Sequence, residues 1–377
     1  MPKALLIASV QSHICQFHRP HVTMLHSHNY EVHVAAHNNL DVKPGLKLDF
    51  ADRVFEVPFS RSVFDKKNII AYKQLKQLLS QEHYDIVQCN TPIASILARF
   101  AARKYRKSGT KVVYIAHGFQ FFKGSGIKNW LLYYPIERIA SHFTDLIFTI
   151  NKEDYRRALG FHTSTVQYIP GIGVNTAKFR EAEKKDIRDE LHLPKDAFLI
   201  LTVAELHPRK NLKTSIAAIA KLKEFPIYYV LFGNGILEDE LKAFCNECHV
   251  ADKVFFAGYR RDVPSIMKCC DLFLFPSKRE GLGLAGIEAM ASGLPVVSSN
   301  INGILDYMEQ GKTGIMCDPD DVEGFANAIL ELYQDPERRK KIAEYNKIKS
   351  IAFDVSNTVA ALEEGYTRII SDFATQQ

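Results

Sequence analysis

The chain has 377 residues, of which 46% are hydrophobic and 24% are charged, a composition typical of a folded globular protein. This length suits about two domains of roughly 150 to 200 residues each. Seven cysteines without a dense pattern exclude a disulfide-rich scaffold and favour reduced thiols, and no apolar run approaches the ~20 residues that span a bilayer.

The net charge of +5 is distributed unevenly along the chain. Residues 1–175 contain 22 Lys and Arg against 12 Asp and Glu, a balance of +10, whereas residues 176–377 contain 26 against 31, a balance of −5. A basic first half indicates an anionic partner, such as a membrane surface or a phosphorylated lipid. No nucleic-acid partner is expected, because no recognised nucleic-acid-binding motif accompanies the charge.

Short apolar segments alternate with helical patterns through the first half. The N-terminal MPKALLIASVQSH predicts a strand and not a signal peptide, because its apolar stretch is short and no cleavage site follows. Strands are predicted over 3–10, 31–37, 54–59, 85–90, 111–117, 145–150 and 166–170, and helices over 68–82, 92–107, 128–142 and 151–159. Such an alternation of β-branched strands and helices predicts a parallel sheet covered on both faces.

The alternation pauses at IPGIGVNTAKF (169–179), which suits a linker, and then restarts. Strands are predicted over 198–206, 227–233, 254–259, 272–277 and 295–299, and helices over 211–224, 236–248, 262–268, 284–292, 321–334, 336–347 and 355–373. The predicted fold is therefore α/β, with two doubly wound Rossmann-like domains over 1–172 and 173–354. A C-terminal helix over 355–377 is expected to pack back toward the first domain. Ligands are expected at the carboxyl ends of the strands, in a cleft that both domains face.

The segment REGLGLAGIEAMASGLPVV (279–297) carries the strongest chemical pattern. A strand ends at Pro276, a turn with Gly281 and Gly283 follows, and a helix begins there, so its first N–H groups predict an anion site. Glu280 lies at the mouth of that site and Glu288 lies beneath it, and carboxylates accept hydrogen bonds from sugar hydroxyls. Spacing alone leaves an alternative open, in which both are surface acids of a helix.

Two further patterns have competing interpretations. Cys245 and Cys248 form a CxxC motif beside His249, but no second ligand pair follows, so two thiols on one helix are expected and no metal site.

Arg99, Arg103 and Arg106 are spaced i, i+4, i+7 on the predicted helix 92–107 and so share one face. That face could bind an anionic membrane surface, or its cations could simply stabilise the helix C-terminus.

The motif Glu280-x7-Glu288 within GLGLAGIEAMASGLPVV resembles the signature of glycosyltransferase family 4, whose members are retaining enzymes of the GT-B fold. VAELHPRKN (203–211) resembles the family's diphosphate-binding segment, FAGYRRDVPSIMKCCDLFLFPS (256–277) the region next to the base site, and AHGF (116–119) the histidine loop. SHICQFHRPHVTMLHSHNYEVHVAA, YDIVQCNTP, HGFQFFKG and NWLLYYPIER are similar to bacterial capsule and exopolysaccharide members. Each motif alone is weak, but their combination is specific and covers nearly the whole chain.

The resemblance implies a role for each matching position in transferring a sugar from a nucleotide sugar, expected to be a UDP-sugar. The implied residues are catalytic His117, Lys210 and Glu280; diphosphate-binding Arg209, Lys210, Gly281, Leu282 and Gly283; donor-sugar-binding His117 and Glu280; ribose-binding Glu288; and base-binding Gly258, Tyr259 and Arg260. The cations would neutralise the departing diphosphate. The family also implies retention by a front-side route in which the departing phosphate takes the acceptor proton, without a metal or a cofactor.

The chain departs from the family pattern at two places. Many members have Gly-Arg-Leu where this chain has Ala204-Glu205-Leu206, so Glu205 is expected to point away from the diphosphate and Arg209 to supply the missing cation. The first loop lacks the paired glycines that are common there, and His13, His18 and Arg19 are therefore candidates for the acceptor side.

The resulting hypothesis is a cytoplasmic transferase of the hexosyl or N-acetylhexosaminyl class, peripheral on the inner face of the membrane. It would extend a lipid-linked cell-surface polysaccharide, with the acceptor on the first domain and the donor on the second. Two alternatives stay open: a nucleotide-sugar 2-epimerase, and a catalytically silent sugar-nucleotide-binding module. The presence of Glu280, Glu288, Lys210 and His117 argues against the silent module, and the lack of GxGxxG after the first strand argues against a dehydrogenase.

Overall fold

The computed structural model describes residues 1–43, 45–371 and 373. The chain divides into two compact units, one formed by Met1–Gly173 with Val355–Gln377 and the other by Val174–Asp354.

The first unit is built around a parallel sheet whose strands alternate with helices. Its first elements, in chain order, are β1 (Lys3–Val10), α1 (Gln11–Phe17), α2 (Arg19–Ser27), β2 (Glu31–His37), β3 (Arg53–Glu56), α3 (Lys67–Gln81), β4 (Ile86–Cys89), α4 (Pro92–Ala102), β5 (Lys111–Ala116), α5 (Ile127–Ser141), β6 (Leu146–Thr149), α6 (Lys152–Ala158) and β7 (Thr165–Tyr168). In the described part of this unit, the strand order is β3-β2-β1-β4-β5-β6-β7. This is the Rossmann order with one more strand at the end.

The strand sequences explain why this sheet is a central layer. Every residue of β4 and β6 is buried, as are the six central residues of β1. Because successive side chains of a strand point to opposite faces, such strands need cover on both faces. Helices provide it: Leu75 of α3 and the small Ala94 and Ala98 of α4 are part of the buried cluster that includes Val87 of β4.

The second unit repeats this design. Its elements are α7 (Thr176–Arg180), β8 (Phe198–Val203), α8 (Leu212–Lys221), β9 (Ile227–Phe232), α9 (Glu238–Glu247), β10 (Val254–Phe256), α10 (Val263–Met267), β11 (Leu272–Phe275), α11 (Leu284–Ala291), β12 (Val296–Ser299), β13 (Gly314–Cys317), α12 (Val322–Gln334) and α13 (Pro336–Ser350). Among its described residues the strand order is β10-β9-β8-β11-β12-β13. All pairs are parallel, and the predicted pair of doubly wound α/β sheets is confirmed.

The chain ends in the first unit with α14 (Val355–Ile369). Tyr366 of this helix is fully buried, and its hydroxyl lies 3.1 Å from His21 Nε2 and 2.7 Å from Gln88 Oε1. Gly365 leaves no room for a Cβ, which would lie 2.3 Å from the Phe148 ring. Of the predicted helical segment 355–377, positions 372 and 374–377 lie outside the described residues.

Four elements were not predicted from the sequence: α1, α2, α7, which lies at the end of the predicted linker 169–179, and β13. The segment 11–27 forms α1 and α2, in which histidines and serines interrupt the helical spacing of the fully buried Ile14, Val22 and Leu25. Pro20 stands in the first turn of α2, where its missing N–H has no intrahelical partner to lose. The edge strand β13 was also missed, because four residues between two loops carry too little periodic signal.

All seven cysteines are free thiols. Cys245 lies in α9 and Cys248 directly follows it. Burial raises the pKa of Cys245 to about 11, because desolvation disfavours the thiolate.

Candidate active site

In the second unit, the strand order changes direction between the neighbours β8 and β11. Loops that leave the carboxyl ends of two such strands diverge to opposite faces of the sheet, and doubly wound proteins bind ligands in the resulting crevice. The loop after β8 carries Arg209 and Lys210 on a 3-10 turn, Pro208–Lys210, and the loop after β11 carries Glu280. The fold thus brings three predicted residues together from two distant segments.

The buried Glu280 carboxylate pairs with two cations, the buried Lys210 and the exposed Arg209. This carboxylate lies 2.5 Å from the Lys210 ammonium and 3.7 Å from the Arg209 guanidinium, and it accepts a 2.8 Å hydrogen bond from Ser277 Oγ. Glu280 is 7% exposed and Lys210 is 9% exposed. At such low exposure either charge without the other is unfavourable. An anion that enters this crevice therefore meets two cations that a protein carboxylate already holds in position.

Asn211 fixes the turn that carries Lys210. Its backbone is left-handed, with φ of 55°, a conformation that Asn tolerates better than most residues. Its side-chain amide donates hydrogen bonds of 3.1 Å to the Pro276 carbonyl and 2.6 Å to the Pro319 carbonyl. One residue thereby joins the loops that follow β8, β11 and β13.

The start of α11 has the glycine geometry that the anion-site prediction requires. Gly283 has φ of +83°, and a Cβ there would lie 2.7 Å from the Phe275 ring and 3.2 Å from the Tyr307 hydroxyl. That hydroxyl donates a 3.1 Å hydrogen bond to the Gly283 carbonyl. Leu282 is 2% exposed, so only its backbone could contact a ligand. Gly281 precedes it in the same short loop.

Glu288 lies inside α11, one turn beyond its start, and its side chain is half-buried. No hydrogen bond from a residue that the structure describes reaches its carboxylate. Desolvation raises the pKa of Glu288 to about 7, partly opposed by the positive charge of Lys178. A carboxyl group that is desolvated and unpaired in this way is suited to accept hydrogen bonds from a ligand.

The predicted base-binding segment follows β10. Gly258 has φ of +62° and its carbonyl accepts a 2.8 Å hydrogen bond from the Gly233 N–H. Tyr259 is 69% exposed. The Arg260 guanidinium bonds to the carboxylates of Asp262 and Glu190, which raise its pKa, so its charge is already neutralised within the protein.

Glu205, expected to point away from the diphosphate, has a side chain that is 58% exposed. Its carboxylate lies 4.0 Å from the Arg209 guanidinium. Glu205 therefore lies beside Arg209 and is exposed to solvent.

The first unit has its own change of strand direction, between β1 and β4. His13 lies in α1, directly after β1, His18 lies between α1 and α2, and His117 directly follows β5. Nε2 of His13 is 3.3 Å from Nε2 of His117, and the His18 and His117 ring centroids are 5.2 Å apart. The three predicted histidines therefore form one cluster. Arg19 lies on the surface, where it pairs with Asp49 at 2.6 Å.

Hydrogen bonds to Asp154 fix the loop that follows His117. The Asp154 carboxylate accepts 2.9 Å hydrogen bonds from the Phe119 N–H and the Asn151 amide. Burial raises the pKa of Asp154 to about 6. Phe119 stacks on Phe121, with ring centroids 4.9 Å apart, and both rings are buried. Packing and one carboxylate thus set the position of the histidine loop.

The prediction of a basic membrane-binding face at Arg99, Arg103 and Arg106 is wrong. Helix α4 ends at Ala102, so the three do not share one helix. Arg99 is fully buried, with its guanidinium 2.6 Å from the Glu137 carboxylate.

Arg106 follows in a 3-10 turn and pairs with Asp145 at 2.6 Å. Its guanidinium also donates a 2.7 Å hydrogen bond to the His142 carbonyl. Only Arg103 of the three is exposed. Spacing along the chain could not reveal that buried and surface carboxylates neutralise the other two.

Sequence reasoning also missed residues that support the candidate site. Asn211 and Ser277 are the last residues of the motifs at 203–211 and 256–277, and their place next to a helix start and a strand end was an available signal. Tyr307 and Asp154 lie outside the recognised motifs, and Glu137 lies in NWLLYYPIER (129–138), which did not indicate its pairing with Arg99. Their contacts depend on the tertiary fold, and no local pattern indicates them.

Comparison with known proteins gives matches over both units. The family model described as Glycosyl transferase 4-like matches residues 3–151, and the one described as Glycosyl transferases group 1 matches residues 183–349.

Two relatives are similar over most of the chain. EpsD of Bacillus subtilis (strain 168), which carries the name of a glycosyltransferase, is 37% identical over 372 residues, covering 97% of this chain and 96% of EpsD. The UDP-Gal:alpha-D-GlcNAc-diphosphoundecaprenol alpha-1,3-galactosyltransferase of Escherichia coli is 31% identical over 300 residues, covering 76% of each chain.

Solved structures show the same fold. HepE of Anabaena, in complex with UDP and glucose, has a TM-score of 0.78 at 19% identity and covers 98% of this chain and 100% of HepE. WaaG, a glycosyltransferase involved in lipopolysaccharide biosynthesis, has a TM-score of 0.73 at 18% identity and covers 97% of this chain and 99% of WaaG.

Two Rossmann-like sheets with this strand order and these structural relatives define a protein of the GT-B fold. The chain belongs to glycosyltransferase family 4, as its motifs indicated. Within the described residues, no helix combines the length and the apolar character needed to cross a bilayer.

Proposed function

We propose that the protein transfers a sugar from a UDP-sugar to a lipid-linked saccharide during synthesis of a bacterial exopolysaccharide or capsule. The observation that carries this proposal is the buried pair of Lys210 and Glu280 at the β8/β11 crevice, with the exposed Arg209 beside it and the glycine-rich start of α11 next to it. Two relatives support it: the Escherichia coli enzyme is named for a UDP-Gal donor and a diphosphoundecaprenol acceptor, and HepE was solved with UDP and glucose.

In this proposal the donor diphosphate lies against Lys210 and Arg209 and takes over ion pairing that Glu280 provides in the structure. A diphosphate carries more negative charge than one carboxylate, so it competes well for both cations. Glu280, less tightly paired, then accepts hydrogen bonds from the hydroxyls of the donor sugar. The N–H groups of the 281–283 loop and the N-terminus of α11 add donors to the phosphate.

The nucleoside is proposed to lie between α11 and the loop after β10. Glu288 accepts hydrogen bonds from the ribose hydroxyls, which would satisfy a carboxyl group that no described residue bonds. Gly258 and Tyr259 adjoin the base, and the exposed Tyr259 ring offers a stacking surface. Arg260 contributes by holding this loop through Asp262 and Glu190.

The proposed reaction retains the anomeric configuration. The bond between the sugar C1 and the phosphate oxygen breaks with its electron pair moving to the phosphate, and the acceptor oxygen bonds to C1 from the same face. The departing phosphate oxygen takes the acceptor proton. Lys210 and Arg209 stabilise the charge that develops on the phosphate, and the family resemblance assigns His117 to the donor sugar. No cofactor is required for this route.

The acceptor is proposed to bind the first unit, on the side of His13, His18 and Arg19.

The surface of the first unit that suits a lipid bilayer is not the one that Arg99, Arg103 and Arg106 were predicted to form. Helix α5 exposes Ile127 and Leu131, each 73% exposed, together with further residues of the same helix. The other exposed residues of α5 are Lys128, Leu132, Pro135, Arg138 and Ile139.

This exposed face of α5 combines apolar side chains with cations and contains no acid, since Glu137 points inward to Arg99. Apolar groups can enter the headgroup region while cations attract anionic lipids. The proposed place of action is therefore the cytoplasm, peripheral on the inner face of the membrane.

The transfer proposal is tested with purified protein and a panel of labelled UDP-sugars, with and without an undecaprenyl-diphosphate-linked saccharide. Acceptor-dependent transfer with release of UDP is expected, and NMR of the product should show the donor's anomeric configuration. Conversion of the donor into another UDP-sugar without acceptor would identify a 2-epimerase instead. Stabilisation by a UDP-sugar, about 2.7 kcal/mol at 100 times its Kd, without any turnover would identify a silent binding module.

The membrane proposal is tested by sedimentation with vesicles that contain anionic phospholipid. Leu131→Ser should weaken binding about fivefold, because it removes one side chain that enters the interface. Ile348→Ser changes an equally exposed residue, at 72%, in the second unit and should leave binding unchanged. Absence of binding by the parent protein, or equal losses in both variants, would overturn the assignment of α5.

A further inference from the structure

The histidine cluster of the first unit has a geometry that sugar transfer does not require. His13, His18 and His117 each present one ring nitrogen, and these three atoms all lie within 4.8 Å of one another. The residues come from α1, from the junction of α1 and α2, and from the end of β5. The fold therefore brings three imidazole nitrogens together in one small volume.

The spacing of two of these nitrogens matches a metal site. Nε2 of His13 and Nε2 of His117 are 3.3 Å apart. Two imidazole nitrogens bound to one zinc ion at about 2.0–2.1 Å in tetrahedral geometry lie about 3.4 Å apart. A direct N–H···N hydrogen bond between the two rings explains the same distance, but it leaves the third histidine unexplained.

His18 is that third residue. Its side chain is 1% exposed, and its buried Nε2 has no hydrogen-bond partner among the described residues. Its ring centroid lies 5.3 Å from that of His13 and 5.2 Å from that of His117. A buried polar atom without a partner is unfavourable, and coordination of an ion would satisfy a ring nitrogen of this residue. His13 and His117 are only half-buried, so an ion can reach the cluster from solvent.

Imidazole binds a metal ion in its neutral form, so binding is tested at pH 7.5, above the ordinary pKa of histidine. A site of three neutral ligands carries no negative charge to attract a cation, so we expect micromolar rather than picomolar affinity.

We propose that His13, His18 and His117 form a binding site for a transition-metal dication such as Zn²⁺, with three imidazole ligands and an open fourth position for water. Three nitrogen ligands without a carboxylate select Zn²⁺, Cu²⁺ or Ni²⁺ over Mg²⁺ and Ca²⁺. The transfer chemistry proposed above uses no metal. An ion in this site engages the ring of His117, so its expected effect is reversible inhibition.

The site is tested by calorimetric titration of Zn²⁺ into chelator-treated protein without an affinity tag, at pH 7.5 and without donor. One Zn²⁺ per chain is expected. Both His13→Ala and His117→Ala should weaken binding at least about tenfold; both residues are half-buried, so the variants are expected to fold, and circular dichroism verifies this. The matched control is His162→Ala, which removes one ring of the exposed stacked pair His142 and His162, 3.9 Å apart, and should leave the affinity unchanged.

Co²⁺ supplies a second measurement. A tetrahedral site of three nitrogens and water should produce an intense visible absorption band in the parent protein that His13→Ala abolishes, whereas Mg²⁺ should neither bind nor compete. No binding by the parent, unchanged affinity in both cluster variants, or loss of binding in His162→Ala alone would each overturn the proposal. These titrations contain no sugar nucleotide, so their failure is separate from any failure of the transferase proposal.

Discussion

The groups that pair with a charged residue decide whether its charge is available to a ligand, as Lys210 illustrates. Its position after a strand and before a helix predicts a phosphate-binding cation, and the structure adds that its ammonium is buried against Glu280 at 2.5 Å. Ser277 and Arg209 complete the pairing. A donor diphosphate must therefore exchange with an existing partner, which keeps the cation in place without leaving it as an unpaired buried charge.

Lys210→Ala should lower kcat by about 10²-fold or more, because it removes charge stabilisation of the departing diphosphate. It should also lower the free energy of unfolding by about 3–5 kcal/mol, because Glu280 stays buried without its main partner. Steady-state kinetics and urea denaturation measure the two effects.

Two further variants separate these effects. Lys210→Ala combined with Glu280→Gln should regain most of the stability but not the activity. Lys278→Ala breaks an exposed pair with Asp320 in the neighbouring loop and should change stability by less than about 0.5 kcal/mol. Activity of Lys210→Ala within about threefold of the parent would exclude the assigned role.

Glu288 should make stability depend on pH. Its pKa of about 7 in the folded protein lies above the ordinary 4.5, so between these values the folded chain holds a proton that the unfolded chain releases. The free energy of unfolding should therefore fall as pH rises from about 4.5 to 7, by at most about 3 kcal/mol from this group.

Glu288→Gln should remove this contribution, whereas Asp154, with its pKa raised to about 6, still acts in the same direction in both proteins. Urea denaturation of parent and variant at pH 5 and pH 7.5 isolates Glu288 as the difference in slope. A parent and a variant with the same pH dependence would show that the carboxyl group is not desolvated.

At the scale of elements, the start of α11 depends on neighbours that its own motif does not contain. Gly283 turns the chain with φ of +83°, and Phe275 and Tyr307 occupy the space that a side chain would need. Gly283 therefore serves two purposes, the left-handed turn and the close packing of the loop. Both position the N–H groups that are proposed to bind phosphate.

Gly283→Ala should lower the free energy of unfolding by about 2–3 kcal/mol and weaken UDP binding, because it combines backbone strain with crowding. Gly311→Ala is the matched control: its φ of +77° is similar, but nothing lies within 4 Å of the added Cβ. It should lose only about 1 kcal/mol and keep UDP affinity. Thermal unfolding and calorimetry measure both, and equal losses in the two variants would contradict the crowding argument.

At the scale of the whole molecule, the chain builds the first unit, passes through the second and returns to complete the first with α14. The return is stabilised by polar contacts in the core, because the Tyr366 hydroxyl bonds to both His21 and Gln88. The first unit therefore cannot reach its final stability until the end of the chain is present.

Tyr366→Phe should lower the stability of the first unit by about 1–3 kcal/mol, because it leaves buried partners unsatisfied. Tyr105→Phe in the same unit removes a buried hydroxyl that has no partner among the described residues, so it should be neutral or stabilising. Hydrogen exchange followed by mass spectrometry should show faster exchange in β1, β4 and β6 for the first variant only. If Tyr366→Phe increased hydrogen exchange in the second unit as much as in the first, the two units would not differ in stability as we expect.

The sequence predicted every strand except β13, most helices and the glycosyltransferase motifs, because these depend on residues close together in the chain. Buried β-branched runs such as β8 and the glycine-rich turn at α11 carry their own signal. It did not predict α1 and α2, because their buried positions are separated by histidines and serines that face other parts of the fold. The roles of Glu288, Gly258 and the other site residues stay predictions.

What the sequence determined by itself is the α/β class, the repeated Rossmann pattern and the family, since local periodicity and motif spacing encode them. Only the tertiary structure decided which charged side chains are placed where a ligand could reach them. Arg99 lies within a predicted helix and Lys210 directly precedes one. Arg99 pairs with Glu137 in the core of the first unit, whereas Lys210 pairs with Glu280 at a strand-end crevice. The convergence of His13, His18 and His117 was equally invisible along the chain. Burial and pairing depend on contacts between residues far apart in sequence, and no local pattern contains that information.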